Sequence, residues 1–269
     1  MSIADIKYNE LVRDIYENGT WKSARGKYAD GTQSKAKSVF GRQVTFKEGE
    51  IPIITTKFVA NKTAYKENWI FYVLQSTLAE TFEKYKVPIW REWYKEIDGE
   101  YGIGRSYGFQ LKKYSQMEKL IHNLKHDPDS NRHLISFWNE EDKPKKALQE
   151  CAWAVQFNVR EDKLDMILIQ RSVDTALGLP FNWSGYYSIL TMLAQTTGYK
   201  VGEFTHQMGN VHYYDRHEEL LLKQIEGVQH EQPTILINSN VKDFFGFTEN
   251  DYKIENYNHN GKFEYEVTI

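Results

Sequence analysis

QRSVDTALGLPFN, residues 170–182, is the stretch from which the rest of the chain can be ordered. It leaves an extended run, turns through Gly178 and Pro180, and delivers Asn182 to the start of an apolar segment. Upstream, Ala152–Val159 and Leu164–Ser172 are two extended runs joined by the charged turn Arg160-Glu161-Asp162-Lys163, the pattern of a β-hairpin. Downstream, Pro180-Phe181-Asn182 opens a helix over about Trp183–Thr197, which Gly198 stops.

Outward from this centre the pattern stays mixed. Ile3–Asn18 reads as an amphipathic helix, with Ile3, Ile6, Leu11 and Ile15 near helical spacing. Residues 20–37 are polar and read as a cation-bearing loop. Ser38–Phe46 and Pro52–Thr56 read as extended pieces, and Val59–Leu74 as a helix holding Glu67 and Trp69. Residues 89–112 carry Trp90, Trp93, Tyr94, Tyr101, Tyr107 and Phe109, an irregular aromatic stretch of the kind that walls a site. Ser115–Leu124 suits a helix and His133–Trp138 a short strand. A helix is expected over about His212–Gln224, then strands near Thr234–Ile237, Tyr252–Tyr257 and Phe263–Ile269. With no Pro/Gly/Ser-rich linker, residues 1–269 are expected to form a single α+β domain.

Composition narrows the function. The 269 residues include 41% apolar and 14% aromatic side chains, enough for a sizeable core, which argues against disorder. A formal net charge of −3 offers no global field for DNA or a membrane surface, so any bound phosphate needs a local cation cluster. One cysteine excludes an internal disulfide and a multi-cysteine zinc site, and fits a reducing, cytoplasmic setting. Asp5, Lys7, Asn9 and Glu10 interrupt the N-terminal apolar residues, so no signal peptide is expected there. No window approaches the roughly 18 apolar residues of a membrane span. Phosphate-loop, dinucleotide and zinc-helix motifs are absent, and no metal is expected.

Cys151 stands where a polar run meets a strand, a position from which a thiol can face a cleft. A lone cysteine is also compatible with a small buried hydrophobe. Arg171 and Ser172 close the second strand of the same hairpin and together could hold a phosphate; an ordinary ion pair is the other reading. Asn182 offers a donor beside an acceptor, the complement of a uracil edge, yet it also suits a helix N-cap. His212 and Tyr214, two apart, share one side of an extended segment and could bond a sugar hydroxyl, or His212 could be structural. Glu67 is a general acid/base if it faces a cavity, and simply solvated if it does not.

Taken together these residues resemble the thymidylate synthase family over nearly the whole chain. The resemblance rests on Arg-Ser-x-Asp followed by Leu-Gly-x-Pro-Phe-Asn at 171–182, the spacing from Cys151 to Arg171, and His-x-Tyr at 212–214. Thr55-Thr56-Lys57 with Glu67 ten residues beyond the lysine, Ile-Trp-x-x-Trp at 89–93 and Tyr107-Gly108 also match. The segment from Val241 to Ile269 looks closest to a Bacillus-like branch.

The resemblance implies a large, mostly antiparallel twisted sheet covered by helices, with sheets packing at a homodimer interface. It implies reductive methylation of dUMP to dTMP, with methylene-tetrahydrofolate as one-carbon and hydride donor and a covalent Cys151 adduct at pyrimidine carbon 6. Glu67 and Tyr107 would manage proton transfers, and Asn182 would select uracil. His212 and Tyr214 would hold the 3′-hydroxyl. Arg25, Arg171 and Ser172, with Arg132 from the partner, would hold the phosphate, and Asp174 would also face the substrates. Lys57, Trp90, Trp93, Leu148, Asp174, Leu177, Gly178, Phe181 and Ile269 would contact the folate.

Some positions depart from the family pattern. The arginine pair that crosses to the partner reads Asn131-Arg132, and Arg105 or Lys57 would be the compensating cations. Glu150 replaces the proline before the nucleophile, Arg91 an aspartate after Trp90, and Asn210 an aspartate before His-x-Tyr. Two other readings follow: a dUMP hydroxymethylase, in which water replaces hydride, and an inactive nucleotide- or RNA-binding paralogue. Trp90, a shield for the exocyclic methylene, favours the methyl product.

Overall fold

A computed structural model describes residues 2–269. Ile3–Asn18 forms α1, which buries Ala4, Tyr8, Leu11, Val12 and Ile15 along one stripe. Thr20–Lys27 (β1) and Gln33–Phe46 (β2) pair antiparallel, so residues 20–37 are a hairpin where a loop was expected. Nearly every β1 side chain is exposed, because this is an edge strand. Edge strands protected by charge carry no alternating apolar signal. Pro52–Thr56 runs extended without joining a sheet, since the Asp5 carboxylate takes the Thr55 and Thr56 amides.

Asn61–Trp69 is α2, and Ile70–Leu74 continues it as a π turn. Ala79–Lys84 is α3. The aromatic stretch is more regular than expected. It contains a 3-10 turn at Pro88–Trp93, a small hairpin of β3 (Lys95–Ile97) and β4 (Glu100–Gly102), and α4 (Gly108–Lys113). Gln116–His126 is α5 and Leu134–Ser136 is β5. Ala152–Arg160 (β6) and Lys163–Asp174 (β7) form the expected central hairpin.

Gly178–Thr197 is α6, five residues longer at its start than expected. It is apolar around most of its circumference, and Trp183, Ile189, Leu190 and Leu193 are fully buried. Such a helix is a core element rather than a surface one. The helix expected from His212 begins only at Glu218, as α7 (Glu218–Ile225); Lys200–Tyr214 is a long strand, β8. Asp215 ends that strand by accepting the Tyr28 hydroxyl and the Lys35 amide. β9 (Thr234–Ile237) and β10 (Tyr252–Glu255) pair with each other, while Phe263–Ile269 joins no sheet and meets the chain again at Lys27.

The main sheet has six strands in the order β1-β2-β8-β7-β6-β5. Its pairs are antiparallel except β7–β8, which run parallel and are joined through α6. A parallel connection needs a long crossover, and α6 supplies it. The result is a mixed α+β fold in which one sheet is covered by helices, as expected. The crossover begins at Asp174, the point where β7 leaves the sheet.

Candidate active site

Cys151 precedes β6, and the backbone amide of Arg171 donates to its carbonyl at 2.8 Å. The hairpin thus brings Cys151, at the entry to β6, beside Arg171 on β7. A bulge between Ala152 and Ala154 turns the strand at this point. The Arg171 side chain donates to the Glu150 carbonyl at 2.8 Å and the Gln149 carbonyl at 2.9 Å, wrapping the segment that leads into Cys151. Gly209 of β8 permits this packing. A Cβ there would lie 2.8 Å from the Arg171 carbonyl oxygen.

The thiol is half-buried. Burial pushes its pKa up, and the Arg171 guanidinium opposes that rise. The Tyr107 hydroxyl accepts from the Cys151 amide at 3.2 Å. Tyr107 is held at φ +23°, a conformation that bulky residues rarely adopt, and its ring stacks on Phe71 at 4.7 Å. Burial raises its phenol well above the ordinary value.

Trp90 lies beside Tyr107, ring centres 5.9 Å apart, and donates its indole N–H to Glu67 at 2.8 Å. Glu67 is buried on α2, and burial lifts its carboxyl to about 7. A carboxyl near 7 both takes and gives protons at neutral pH. Trp93 packs edge-on to Trp90 at 6.0 Å. Cys151, Tyr107, Trp90 and Glu67 therefore form one continuous line of contacts.

Asn182 lies inside α6, not at its N-cap, which is Leu177. Its carbonyl oxygen accepts from Gln170 at 3.1 Å, and Gln170 also donates to the Ser172 carbonyl at 2.9 Å. Those bonds set which way the Asn182 amide faces. Gln170, which the sequence places beside Arg171 without a role of its own, is the residue that orients Asn182. Its signal was a buried amide one residue before Arg171, in a strand where alternation calls for an apolar side chain.

The loop into α6 is fixed from both sides. Asp174 accepts from the Ala176 amide at 2.8 Å and the Leu177 amide at 3.3 Å. Lys57, buried, donates to the Ala176 carbonyl, and burial lowers its ammonium to about 8. Thr175 donates to the His212 carbonyl at 2.9 Å through its amide and 3.0 Å through its hydroxyl. His212 and Tyr214 lie side by side, rings 5.2 Å apart, and His212 is opposite Asp174 in the register. Burial lowers the His212 pKa, and the nearby Asp174 carboxylate opposes that shift. Leu148 accepts the Ser106 hydroxyl at 3.2 Å, which ties it to the segment entering Tyr107. Leu148, Leu177 and Phe181 stay partly exposed, as does Gly178 at the start of α6.

Two of the phosphate candidates belong to the edges of the sheet. Arg25 is on edge strand β1 and Arg132 precedes β5 at the opposite edge; both side chains are exposed, without an ion pair among the described residues. The compensating cations expected for the missing arginine are already engaged. Arg105 is tied to Asp98 at 2.7 Å and Asp142 at 2.9 Å, and Lys57 to Ala176. Of the departures, Arg91, exposed in the 3-10 turn, pairs with Glu83 of α3. Ile269, at the C-terminus, exchanges two backbone bonds with Lys27, at 2.8 and 3.0 Å, beside Arg25.

No group of three or more His, Cys, Asp or Glu able to hold a metal exists among the described residues. No helix there is long and apolar enough to cross a membrane.

Comparison with known proteins finds relatives over the whole chain. A family profile described as thymidylate synthase matches residues 6–269. Thymidylate synthase from Bacillus phage phi3T is 40% identical, covering 100% of both chains. Thymidylate synthase 1 of Bacillus subtilis strain 168 is 39% identical over the same extent. The solved structure of a thermostable thymidylate synthase A from Bacillus subtilis superposes with a TM-score of 0.94 at 40% identity, covering 99% of each chain.

Proposed function

The chain belongs to the thymidylate synthase family, and from that premise we propose that its site converts dUMP to dTMP by way of a covalent adduct at Cys151. The observation that carries the assignment is the Cys151–Arg171–Tyr107 cluster, in which a cation and a phenol flank a half-buried thiol.

Methylene-tetrahydrofolate is the second substrate and supplies both the one-carbon group and the hydride. Cys151 adds as thiolate to carbon 6 of the uracil ring, which makes carbon 5 the nucleophile that bonds the folate methylene. After the carbon 5 proton is lost the folate nitrogen leaves, and a hydride from the folate completes the methyl group with dihydrofolate released. Tyr107 assists removal of the carbon 5 proton, and Glu67, poised near 7, passes protons through water. Asn182, oriented by Gln170, reads the uracil edge. His212 and Tyr214 hold the sugar 3′-hydroxyl. Arg171, Ser172 and Arg25 take the phosphate. Asp174, Leu177, Gly178 and Phe181, with Trp90, Trp93, Leu148 and Lys57, face the folate. Ile269 closes over the site and excludes water. Cys151 departs as the methyl group is completed.

Two copies pack sheet to sheet in this reading, and Arg132 reaches the partner's phosphate. The open face of the sheet supports it. A groove of about 520 Å³ there is lined by Phe40, Trp153, Gln207 and Arg171, and Phe40 is 79% exposed. A partner seated on that groove comes up beside Arg171. A cytoplasmic location fits the lone free thiol.

The test is incubation with dUMP and methylene-tetrahydrofolate, reading product mass and folate oxidation state together. A methyl product with dihydrofolate is expected; a hydroxymethyl product with tetrahydrofolate regenerated would overturn it. Fluorinated dUMP plus the folate should give a stable adduct on the wild type and none on Cys151→Ser.

A further inference from the structure

Glu150, where the family pattern has proline, is buried immediately before the nucleophile. Its carboxylate pairs with Lys146 at 2.9 Å, and neither side chain has any solvent exposure. Lys146 also donates to the Phe137 carbonyl at 3.2 Å and bridges to Gly104. The same loop is stitched to the strand end before Tyr107: Arg105 donates to the Lys145 carbonyl at 2.8 Å, and Ala147 to that of Ile103 at 3.1 Å. The other Glu150 oxygen is buried without a partner. Leaving such an oxygen unmet is destabilising, and a buried ion pair is in general a weak stabiliser. Stability alone therefore gives little reason for a carboxylate here.

We propose that the Lys146–Glu150 pair is a positioning device for the nucleophile, fixing by charge the backbone that proline fixes by its ring. The pair holds residue 150 so that the Gln149 and Glu150 carbonyls face Arg171 and the Cys151 amide meets Tyr107. The Glu150 amide is engaged only by its own side chain, so a proline there costs no backbone hydrogen bond to another described residue. This inference rests on the functional reading for its role in turnover, but its structural part does not need turnover to be tested.

The experiment compares wild type, Glu150→Gln and the double variant Lys146→Met/Glu150→Pro, each assayed where circular dichroism shows it fully folded. The readouts are kcat and KM for dUMP, and the rate of Cys151 alkylation by iodoacetamide without substrate. Glu150→Gln should lose about tenfold or more in kcat with little change in KM, and alkylate severalfold faster as the thiol loosens. The double variant should recover both toward wild type. A folded Glu150→Gln with wild-type kcat and alkylation rate overturns the proposal, as does a folded double variant that recovers neither. If the double variant does not fold, Glu150→Gln alone decides. If wild type itself does not turn over dUMP while alkylation changes as described, the functional reading fails and the positioning role stands.

Discussion

Burial raises the Glu67 carboxyl against the opposing pull of the Trp90 indole donor. With its carboxyl near 7 in the fold and near 4.5 when exposed, the native state binds a proton that the unfolded chain releases. The stability linked to this group is complete below about pH 4.5 and lost as pH rises through 7. Glu67→Gln removes that loss, which amounts to about 3 kcal/mol in full. Urea melts at pH 5 and pH 8 should show the variant gaining on wild type at the higher pH, and an equal difference at both would contradict the raised value. Turnover should fall by about a hundredfold or more, because the amide cannot exchange protons. Cys151 behaves differently. Its thiol is raised by burial and held down by Arg171, so Arg171→Ala should shift the pH profile of Cys151 alkylation to higher pH, whatever the change in its plateau rate, measured without substrate.

At the scale of elements, the site depends on how closely α2 approaches α6. Gly185 lies at that crossing: a Cβ there would stand 2.3 Å from the Asn68 amide nitrogen and 3.1 Å from the Ala64 carbonyl. Asn68 is buried and itself bonds Ala64, so it has little room to move. Gly185→Ala should destabilise the protein by roughly 1–3 kcal/mol through overpacking. It should also lower kcat more than it raises KM, since α2 carries Glu67. Denaturant melts and steady-state kinetics on the same preparation check both. Legibility followed burial pattern at this scale. The β6–β7 hairpin and α1 were readable because one face of each is apolar. β1 was not, because an exposed edge strand has no apolar face to announce it, and β8 was hidden among the polar residues Glu203, Thr205, His206 and Gln207.

At the scale of the whole molecule, one copy is incomplete in the proposed reading. The sheet puts Arg171 near its centre and Arg132 by its far edge. If Arg132 serves the partner's phosphate, Arg132→Gln and Cys151→Ser homodimers are each impaired, but mixing them creates one intact site per hybrid. Subunit exchange should then recover up to about a quarter of wild-type activity, by random pairing of two copies. No recovery, with hybrids confirmed by native mass spectrometry, would place Arg132 in its own subunit's chemistry.

The sequence alone determined the chemistry on offer: one thiol, an arginine twenty residues on, an asparagine eleven beyond that, and a balanced charge that leaves phosphate binding to local cations. Those are properties of residue type and spacing, which are written in the chain. Only the tertiary structure decided what each group is. Burial made Glu67 a neutral-range acid, Gln170 oriented Asn182, and ion pairs withdrew Arg105 from any phosphate role. The physical reason is that desolvation and hydrogen-bond partners come from residues distant in sequence, so neither exists until the sheet and its helices have closed around the site.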